Sequence, residues 1–572
     1  MLGSETMAPG FPIGISDFRK LREGGHVYVD KSQLICDLID RDNVEVFLLP
    51  RPRRFGKTLN LTMLRCFFER SDEDLAPLFD GLAVWRAGAH YRAHFQRYPV
   101  IYLTFKGTKR DRFEDAWAAL RELITKLYDE HRELLDADTL SASETVAYHQ
   151  ILDRTAPPEL YHDALGDLVR HLARYHGEKV VVLIDEYDEP LHAAYLGGYA
   201  KPMLDFLRAF LSGALKDQAH LHKAVLTGIL RVARESIFSG LNNLAVYSLL
   251  HVELASCFGF TEAEVDALLA QAGRSEQRAV VQHWYNGYDF GGEVIYNPWS
   301  VLSFLSDPSG HPGPHWLTTS ANRLIKHVLE ARAARLQPVF EALLDGERIE
   351  RVIDPHVVLD ALDRDDDAVW ALLVFSGYLR ASARSRGAME QPAHELSIPN
   401  REVRLLYSGT FAAWMKARLI GHGGDLDLLT AALFRGDAEG VESQLQTFMD
   451  SMASYFDTAR PSLEHFYHGF VLGLLAVLEP DYQVRSNRES GRGRPDLLIR
   501  PTRPGRPGVV LELKVARPGK KTLAQALREG RDQIESNAYA AELTAAGADP
   551  IHAYAVAFDG TEVRVEAAAV AP

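Results

Sequence analysis

The sequence predicts an α/β chain. It opens with a parallel sheet carrying helices on both faces, runs through a mostly helical middle region, and closes with a smaller α/β domain. Three observations predict this. Up to about residue 260, short apolar runs alternate with helix-like segments, the pattern of a parallel sheet covered by helices. One of these runs leads into a Gly-Lys-Thr triplet that opens a helical pattern. Near the C-terminus, two strand-like runs joined by a Pro/Gly/Arg loop carry carboxylates and a lysine at one end.

The first strands are read at Val44–Leu49, Val100–Phe105, Val180–Ile184 and Ala224–Ile229, short apolar runs that are mostly β-branched. Residues 261–460 read mostly as helix with irregular joints such as Asp307–Pro314. A helix over Leu463–Leu478 then leads into strands at Leu497–Arg500 and Val509–Val515, with Pro501–Gly508 as the turn. A helix from Leu523 to Ala541 follows, and a last strand near His552–Phe558. The 572 residues are too many for one core, and the expected domains are 1–260, 261–460 and 461–572.

Composition narrows the class. Hydrophobic residues at 47% and charged residues at 25% are ordinary for globular chains. No apolar run approaches the roughly 20 residues of a membrane span, and Met1–Gly10 lack the pattern of a secretory signal. Cys36, Cys66 and Cys257 are scattered and form no CxxC pair, which fits a reducing cytoplasm. A net charge of −15 argues against indiscriminate coating of nucleic acid. Between Arg485 and Lys521, however, basic residues are opposed only by Glu489, Asp496 and Glu512. That stretch reads either as a phosphate-attracting patch or as a solvated loop face.

The run ending at Leu49 is followed by Pro50-Arg51-Pro52-Arg53-Arg54-Phe55-Gly56-Lys57-Thr58. A strand, a tight loop and a helix opening with Gly-Lys-Thr is an arrangement that cradles phosphates, the P-loop. Backbone N–H groups at Gly56 would face the anion, with Arg53 and Arg54 among the nucleotide-binding residues, while Lys57 would reach the terminal phosphates and Thr58 would ligate Mg2+. Arg51 stands where the first glycine of the motif belongs, and a basic turn or a nucleic-acid patch built from Arg51, Arg53, Arg54 and Lys57 reads as well. A second element supports the nucleotide. The strand Val180–Ile184 runs into Asp185-Glu186, where an acid can hold Mg2+ and the next glutamate can orient an attacking water. Asp188 and Glu189 fit a helix cap. Thr227, at the end of a further strand, and Arg231 suit a γ-phosphate contact.

Several further motifs accompany these. They are Tyr28-Val29-Asp30-Lys31-Ser32, Asp185-Glu186-Tyr187-Asp188, Ser236-Ile237-Phe238-Ser239-Gly240-Leu241-Asn242-Asn243, Trp284-Tyr285-Asn286-Gly287-Tyr288 and Tyr296-Asn297-Pro298-Trp299-Ser300. With the loop, they resemble the prokaryotic AAA-ATPase-like family that commonly carries a PD-(D/E)XK nuclease domain at its C-terminus. The resemblance implies an ATPase fold and a restriction-endonuclease-like terminal domain. It also implies that arginine is usual at the position of Arg51. The middle motifs read as core packing and capped turns.

In the C-terminal part, Asp496 precedes one strand and Glu512 and Lys514 lie two apart on the next, so both project from the same face. Two carboxylates suit Mg2+ or Mn2+, and the lysine can position water or stabilise charge. Pro495-Asp496 followed by Glu512-x-Lys514 resembles the PD-(D/E)XK signature, although Glu-x-Lys on an exposed strand is also a common ion pair. Glu464 and Glu489 are rival candidates for a further carboxylate, Gln533 with Tyr539 for a polar contact from the following helix, and Arg492 and Arg494 for the phosphate backbone. His90 with His94 and His465 with His468 lack a third ligand and read as packing or surface residues. The function expected is an ATP-dependent, metal-dependent nuclease acting on nucleic acid, DNA ahead of RNA, with self-association left open. The alternative is an ATP-dependent switch whose nuclease fold grips nucleic acid without cutting.

Overall fold

The computed structural model describes residues 10–569 apart from 231–236, 239–240, 317–322, 345, 356–358, 384–392, 408–425, 451–466, 468–469, 472–473, 476–477, 479–480, 487–494, 517–520 and 537–538. The chain divides into two compact units. The first comprises Met1–Val328 and Ile349–Val403, the second Leu329–Arg348 and Arg404–Pro572.

In the first unit, β1 (Val46–Pro50), β2 (Val100–Thr104), β3 (Val180–Asp185), β4 (Leu221–Gly228) and β5 (Leu244–Val246) form a five-stranded sheet of order β2-β3-β4-β1-β5. Every pairing in it is parallel. The strands of β1 and β3 are buried along their whole length, which requires cover on both faces. Helices Lys57–Phe68, Phe113–Asp129, Pro158–His176 and Ala200–Leu215 lie between the strands in sequence. The last two cross at paired glycines. A Cβ on Gly166 would come within 2.6 Å of the Gly213 carbonyl oxygen, so only glycine permits this approach. The short β5 escaped the periodicity because three residues carry too little pattern.

The rest of this unit is helical, with a hairpin, β6 (Tyr288–Phe290) and β7 (Glu293–Ile295), and a small antiparallel sheet of β8 (Ile349–Val352), β9 (Arg380–Ala383) and β10 (Ala393–Ser397). Asn297 caps the Pro298–Ser306 helix, accepting from the N–H groups of Trp299 and Ser300. The fully buried Glu402 accepts from the Ser300 hydroxyl and the Trp316 N–H. Among the described residues, His94 donates to or accepts from the Tyr98 hydroxyl at 2.7 Å and stacks beside His222, which is packing.

In the second unit, β11 (Tyr482–Ser486), β12 (Leu497–Pro501), β13 (Gly508–Val515), β14 (Ile551–Asp559) and β15 (Glu562–Ala567) form a sheet in sequence order. Only the β13–β14 pairing is parallel. The Leu523–Ser536 helix makes the crossover that a parallel pair needs. One sheet face, with Leu497, Ile499, Val509, Leu511 and Leu513, packs on Leu429, Leu445, Phe448 and Tyr467. The other, with Leu498 and Val510, packs on Ala526, Leu527 and Ile534. Two expectations need correction. The strand near His552–Phe558 is followed by β15, and the helix expected to run from Leu523 to Ala541 is two, Leu523–Ser536 and Ala540–Ala545.

Candidate functional site

Strand β1 ends at Pro50, and the chain turns through Arg51–Gly56 into the Lys57–Phe68 helix. Arg54 (φ +69°) and Gly56 (φ +85°) both take left-handed backbone. A Cβ at Gly56 would meet nothing within 4 Å, so glycine serves there for its conformation rather than for space. As N-cap it offers no side chain to the helix, and the first-turn N–H groups face the loop with the positive end of the helix.

Arg51 is fully buried, and its guanidinium donates to the carbonyls of Pro50 (2.9 Å), Tyr247 (2.6 Å) and Leu254 (3.1 Å) while lying against the rings of Phe258 and Phe290. Burial pulls its pKa down to about 10, so it stays charged at neutral pH. The side chain that replaces the expected glycine therefore clamps the segment after β5 behind the loop. Two more bonds complete the clamp. The Gly259 N–H donates to the Phe55 carbonyl (3.2 Å), and the Asn60 amide donates to the Cys257 carbonyl (2.8 Å). In front, Phe55 meets Tyr288 edge-on with ring centroids 4.9 Å apart, so the middle motifs pack against the loop.

The Lys57 ammonium donates to the carbonyls of Arg51 and Pro52, 3.0 Å each. Burial lowers its pKa, opposed by the charges of Glu186 and Asp185. The Thr58 hydroxyl donates to Asp185 Oδ2 and the Thr227 hydroxyl to Asp185 Oδ1, both at 2.7 Å. The topology explains the meeting, because β4 lies between β1 and β3 and delivers Thr227 beside the end of each. Burial raises the Asp185 pKa against the pull of those two hydroxyls.

Glu186 follows in left-handed backbone (φ +51°). Burial first, and then the neighbouring Glu189, push its pKa up to about 7. Glu189 in turn lies 3.4 Å from the Lys109 ammonium. Sequence reasoning assigned Asp188 and Glu189 to a helix cap. Asp188 does occupy the cap position but makes no capping bond, and its Oδ2 instead accepts the N–H groups of Ile229 and Leu230, 2.9 Å each. The Tyr187 hydroxyl donates to the Leu230 carbonyl. The Asp-Glu-Tyr-Asp run thus fixes the chain leaving β4. A second acid three residues beyond Glu186 was the sequence signal for Glu189. Arg53 is half-buried beside the loop, and Arg231 lies outside the described residues.

In the second unit, Leu497 pairs with Leu511 and Leu498 with Val510, which sets Asp496 opposite Glu512. Asp496 Oδ2 accepts the Leu513 N–H at 2.8 Å. The Lys514 ammonium donates to Glu512 Oε1 at 2.7 Å and lies 4.0 Å from Asp496 Oδ2. Glu512 is 1% exposed; burial and the Asp496 charge push it up to about 7, with Lys514 opposing. Burial lowers the Lys514 pKa, but the charge and hydrogen bond of Glu512 outweigh it and leave the group above its usual value. Gly530 of the crossover helix faces this spot, where a Cβ would stand 3.4 Å from Lys514 Cγ.

Hard oxygen donors from two strands suit a divalent cation, and a carboxylate held protonated by burial and a like charge is one that a cation would ionise. Among the described residues no third His, Cys, Asp or Glu joins the pair. Glu464, Glu489, Arg492 and Arg494 lie outside the described residues. Gln533 donates to the Tyr539 hydroxyl at 3.2 Å. The basic stretch is better balanced than its sequence shows. Arg485 pairs with Glu542, Arg506 with Asp481 and Lys521 with Glu529, acids brought from outside it by folding or by the next helix.

Fold and geometry define a class: a P-loop domain on a parallel sheet and, in the same chain, a mixed α/β domain bearing a carboxylate–lysine cluster. Residues 12–238 match the family described as Predicted AAA-ATPase, and residues 462–568 match the PD-(D/E)XK nuclease superfamily. The chain is 31% identical over 498 residues to a protein of Azotobacter chroococcum mcd 1 described as "Uncharacterized protein in vnfD 5'region", a match covering 85% of this chain and 86% of that protein. The chain belongs to the AAA-ATPase-like family with a C-terminal PD-(D/E)XK nuclease superfamily domain. No described helix is long and apolar enough to cross a membrane.

Proposed function

We propose that the N-terminal domain binds and hydrolyses ATP with Mg2+, and that this gates metal-dependent cleavage of phosphodiester bonds by the C-terminal domain. DNA is favoured over RNA as substrate, and defence against foreign nucleic acid is the role that suits such a pairing. The observation that carries the reading is the convergence of Asp496, Glu512 and Lys514 on one face of adjacent strands. The linkage of Thr58, Asp185 and Thr227 supports the ATP part.

At the nucleotide site, Lys57 and the first-turn N–H groups would hold phosphate oxygens, and Thr58 with Asp185 would hold Mg2+. Thr227 orients Asp185. Glu186, able to carry a proton near neutral pH, takes the proton of the attacking water. At the nuclease site, Asp496 and Glu512 would hold Mg2+ or Mn2+, which when bound supplies charge neutralisation and an acidified water. Lys514 steadies Glu512 and stabilises charge on the phosphate.

The test is purified protein with Mn2+ and mixed DNA and RNA, with and without ATP. Fragmentation of DNA that requires the metal and changes with ATP is expected. Binding of nucleic acid with no cleavage under any of these conditions would leave a switch that grips without cutting.

A further inference from the structure

The motif Trp284-Tyr285-Asn286-Gly287-Tyr288 joins the phosphate loop to one particular point of the chain. Phe55, within the loop, meets the rings of Tyr288 and Phe290 at centroid distances of 4.9 and 5.3 Å. Pro52 is approached as closely, since a Cβ on Gly377 would stand 2.9 Å from Pro52 Cβ. Gly287, beside Tyr288, takes left-handed backbone (φ +95°), and a Cβ there would stand 1.9 Å from the Pro399 carbonyl oxygen. Only glycine lets the motif lie so close to Pro399.

The next residue, Asn400, uses both ends of its amide. Its Nδ2 donates to the Asn286 carbonyl at 2.8 Å, and its Oδ1 accepts the Val403 N–H at 3.0 Å. The second bond is a helix cap, because residues 401–407 are helical and Val403 is the third of them. Tyr288, Asn286 and Asn400 are all buried.

The capped helix is also where the chain leaves the first unit for the second, between Val403 and Arg404. Each end is anchored within its own unit. In the first, Glu402 accepts from the Ser300 hydroxyl and the Trp316 N–H. In the second, the Arg404 guanidinium donates to the Leu344 carbonyl, and the Tyr407 ring lies 4.9 Å from that of Phe340. Leu344 packs on the core that holds Val509, Leu511 and Leu513. Those three belong to β13, which carries Glu512 and Lys514.

We propose that Asn400 is the positioning residue through which the state of the phosphate loop reaches residues 401–407 and, through them, the nuclease site. The inference rests on the reading that ATP gates cleavage, and it names the element that does so. Contiguous packing and hydrogen bonds carry such coupling when both ends have two arrangements. A loop that closes on phosphates moves Phe55 and Pro52, Tyr288 and Asn286 follow, and Asn400 passes the shift to the capped end of the helix.

The experiment compares wild type, Asn400→Ala and Asn400→Asp as full chains. Three rates are measured: ATP hydrolysis, Mn2+-dependent DNA cleavage without nucleotide, and the same cleavage with Mg-ATP. Alanine removes both bonds of the amide. Aspartate keeps an acceptor for the Val403 N–H and loses the donor to Asn286, so a residue that merely capped the helix would leave Asn400→Asp like wild type. ATP is expected to change wild-type cleavage by about fivefold or more, and cleavage by either variant by less than about twofold. Hydrolysis and nucleotide-free cleavage are expected to stay within about twofold of wild type. An ATP response retained in Asn400→Asp would overturn the inference and leave gating standing. Wild-type cleavage indifferent to ATP would overturn the gating reading, and this inference with it. Loss of all three rates in both variants would leave the decision to hydrogen exchange of wild type with and without Mg-AMP-PNP. Altered protection at Ala333–Leu344 is expected there; unaltered protection with the nucleotide bound would overturn the inference.

Discussion

Each site sets a glutamate in the field of a lysine, Glu186 half-buried and Glu512 fully buried, and both glutamates are lifted to about 7. The lysines diverge. Lys57 makes its hydrogen bonds to two backbone carbonyls and is lowered by burial, whereas Lys514 bonds Glu512 directly and is raised. Carbonyl dipoles only partly offset an ammonium, so the loop retains positive potential for an anion. The Glu512–Lys514 pair already satisfies much of its own charge, and Asp496 adds a further carboxylate beside it. On the proposed function, the same two residue types would prepare one site for phosphates and the other for a cation. What differs is which group completes the hydrogen bonds of the lysine.

The largest effect that could break this comparison is at the second site. Asp496→Ala removes half of the described carboxylate pair and is expected to lower cleavage by at least ~10³-fold, with ATP hydrolysis unaltered. Lys514→Ala is expected to retain metal binding, read by calorimetry, and to lose ~10²-fold in rate, on the scale of a lost charge-stabilising group. Equal metal affinity in wild type and Asp496→Ala would remove Asp496 from the ligand set.

Next in size is Glu186→Gln, expected to keep ATP affinity while slowing hydrolysis by ~10²-fold, the scale of a lost general base. Phosphate release and nucleotide binding measured on the same preparation separate the two quantities. Unchanged hydrolysis would transfer the proton-accepting role elsewhere, with Glu189 the nearest carboxylate partner.

A smaller effect sharpens the cation assignment through pH. Burial and the Asp496 charge, opposed by Lys514, push the Glu512 carboxyl up to about 7, and a metal must displace its proton below that. Apparent Mn2+ affinity is expected to rise up to tenfold per pH unit below 7 and to level above it. Stability without metal runs the other way. In the unfolded chain the carboxyl ionises near its ordinary value of roughly 4.3, so between there and 7 the folded protein holds a proton that the unfolded chain has lost. Stability from this group is therefore present at low pH and declines as pH rises through that window. Glu512→Gln should flatten both profiles, which calorimetry and thermal melts would read.

Much of this was legible in the sequence, and what was not has a common physical origin. The loop, Asp185, Thr227 and the Asp496–Glu512–Lys514 cluster sit in strand contexts a few residues long, so local pattern was enough to place them on or beside those strands. Arg51 was visible only as a missing glycine. Its three carbonyl partners include residues about 200 positions away, and nothing local shows that its guanidinium turns inward. The Glu402 carboxylate, whose partners Ser300 and Trp316 lie 102 and 86 positions away, was silent for the same reason. Strands β5, β11 and β15 are edge strands that were missed because each carries at most two or three apolar residues, too few to stand out as a buried run.

The smallest expected effect concerns the basic stretch, where counting charge along the chain misleads. Arg485 and Arg506 look free in sequence but face Glu542 and Asp481. Exposed pairs of this kind contribute ~0–1 kcal/mol to stability, and a guanidinium already facing a carboxylate gains less from a phosphate. Arg485→Ala with Arg506→Ala is therefore expected to change the salt dependence of nucleic-acid binding by less than one unit of slope. Arg492→Ala with Arg494→Ala, if both arginines hold phosphates, should flatten it by about one unit per lost contact. Fluorescence anisotropy across a salt series on both double variants provides the comparison. Equal slopes for the two would mean that Glu542 and Asp481 release their arginines to the phosphate backbone, and the whole stretch would then act as one electropositive surface.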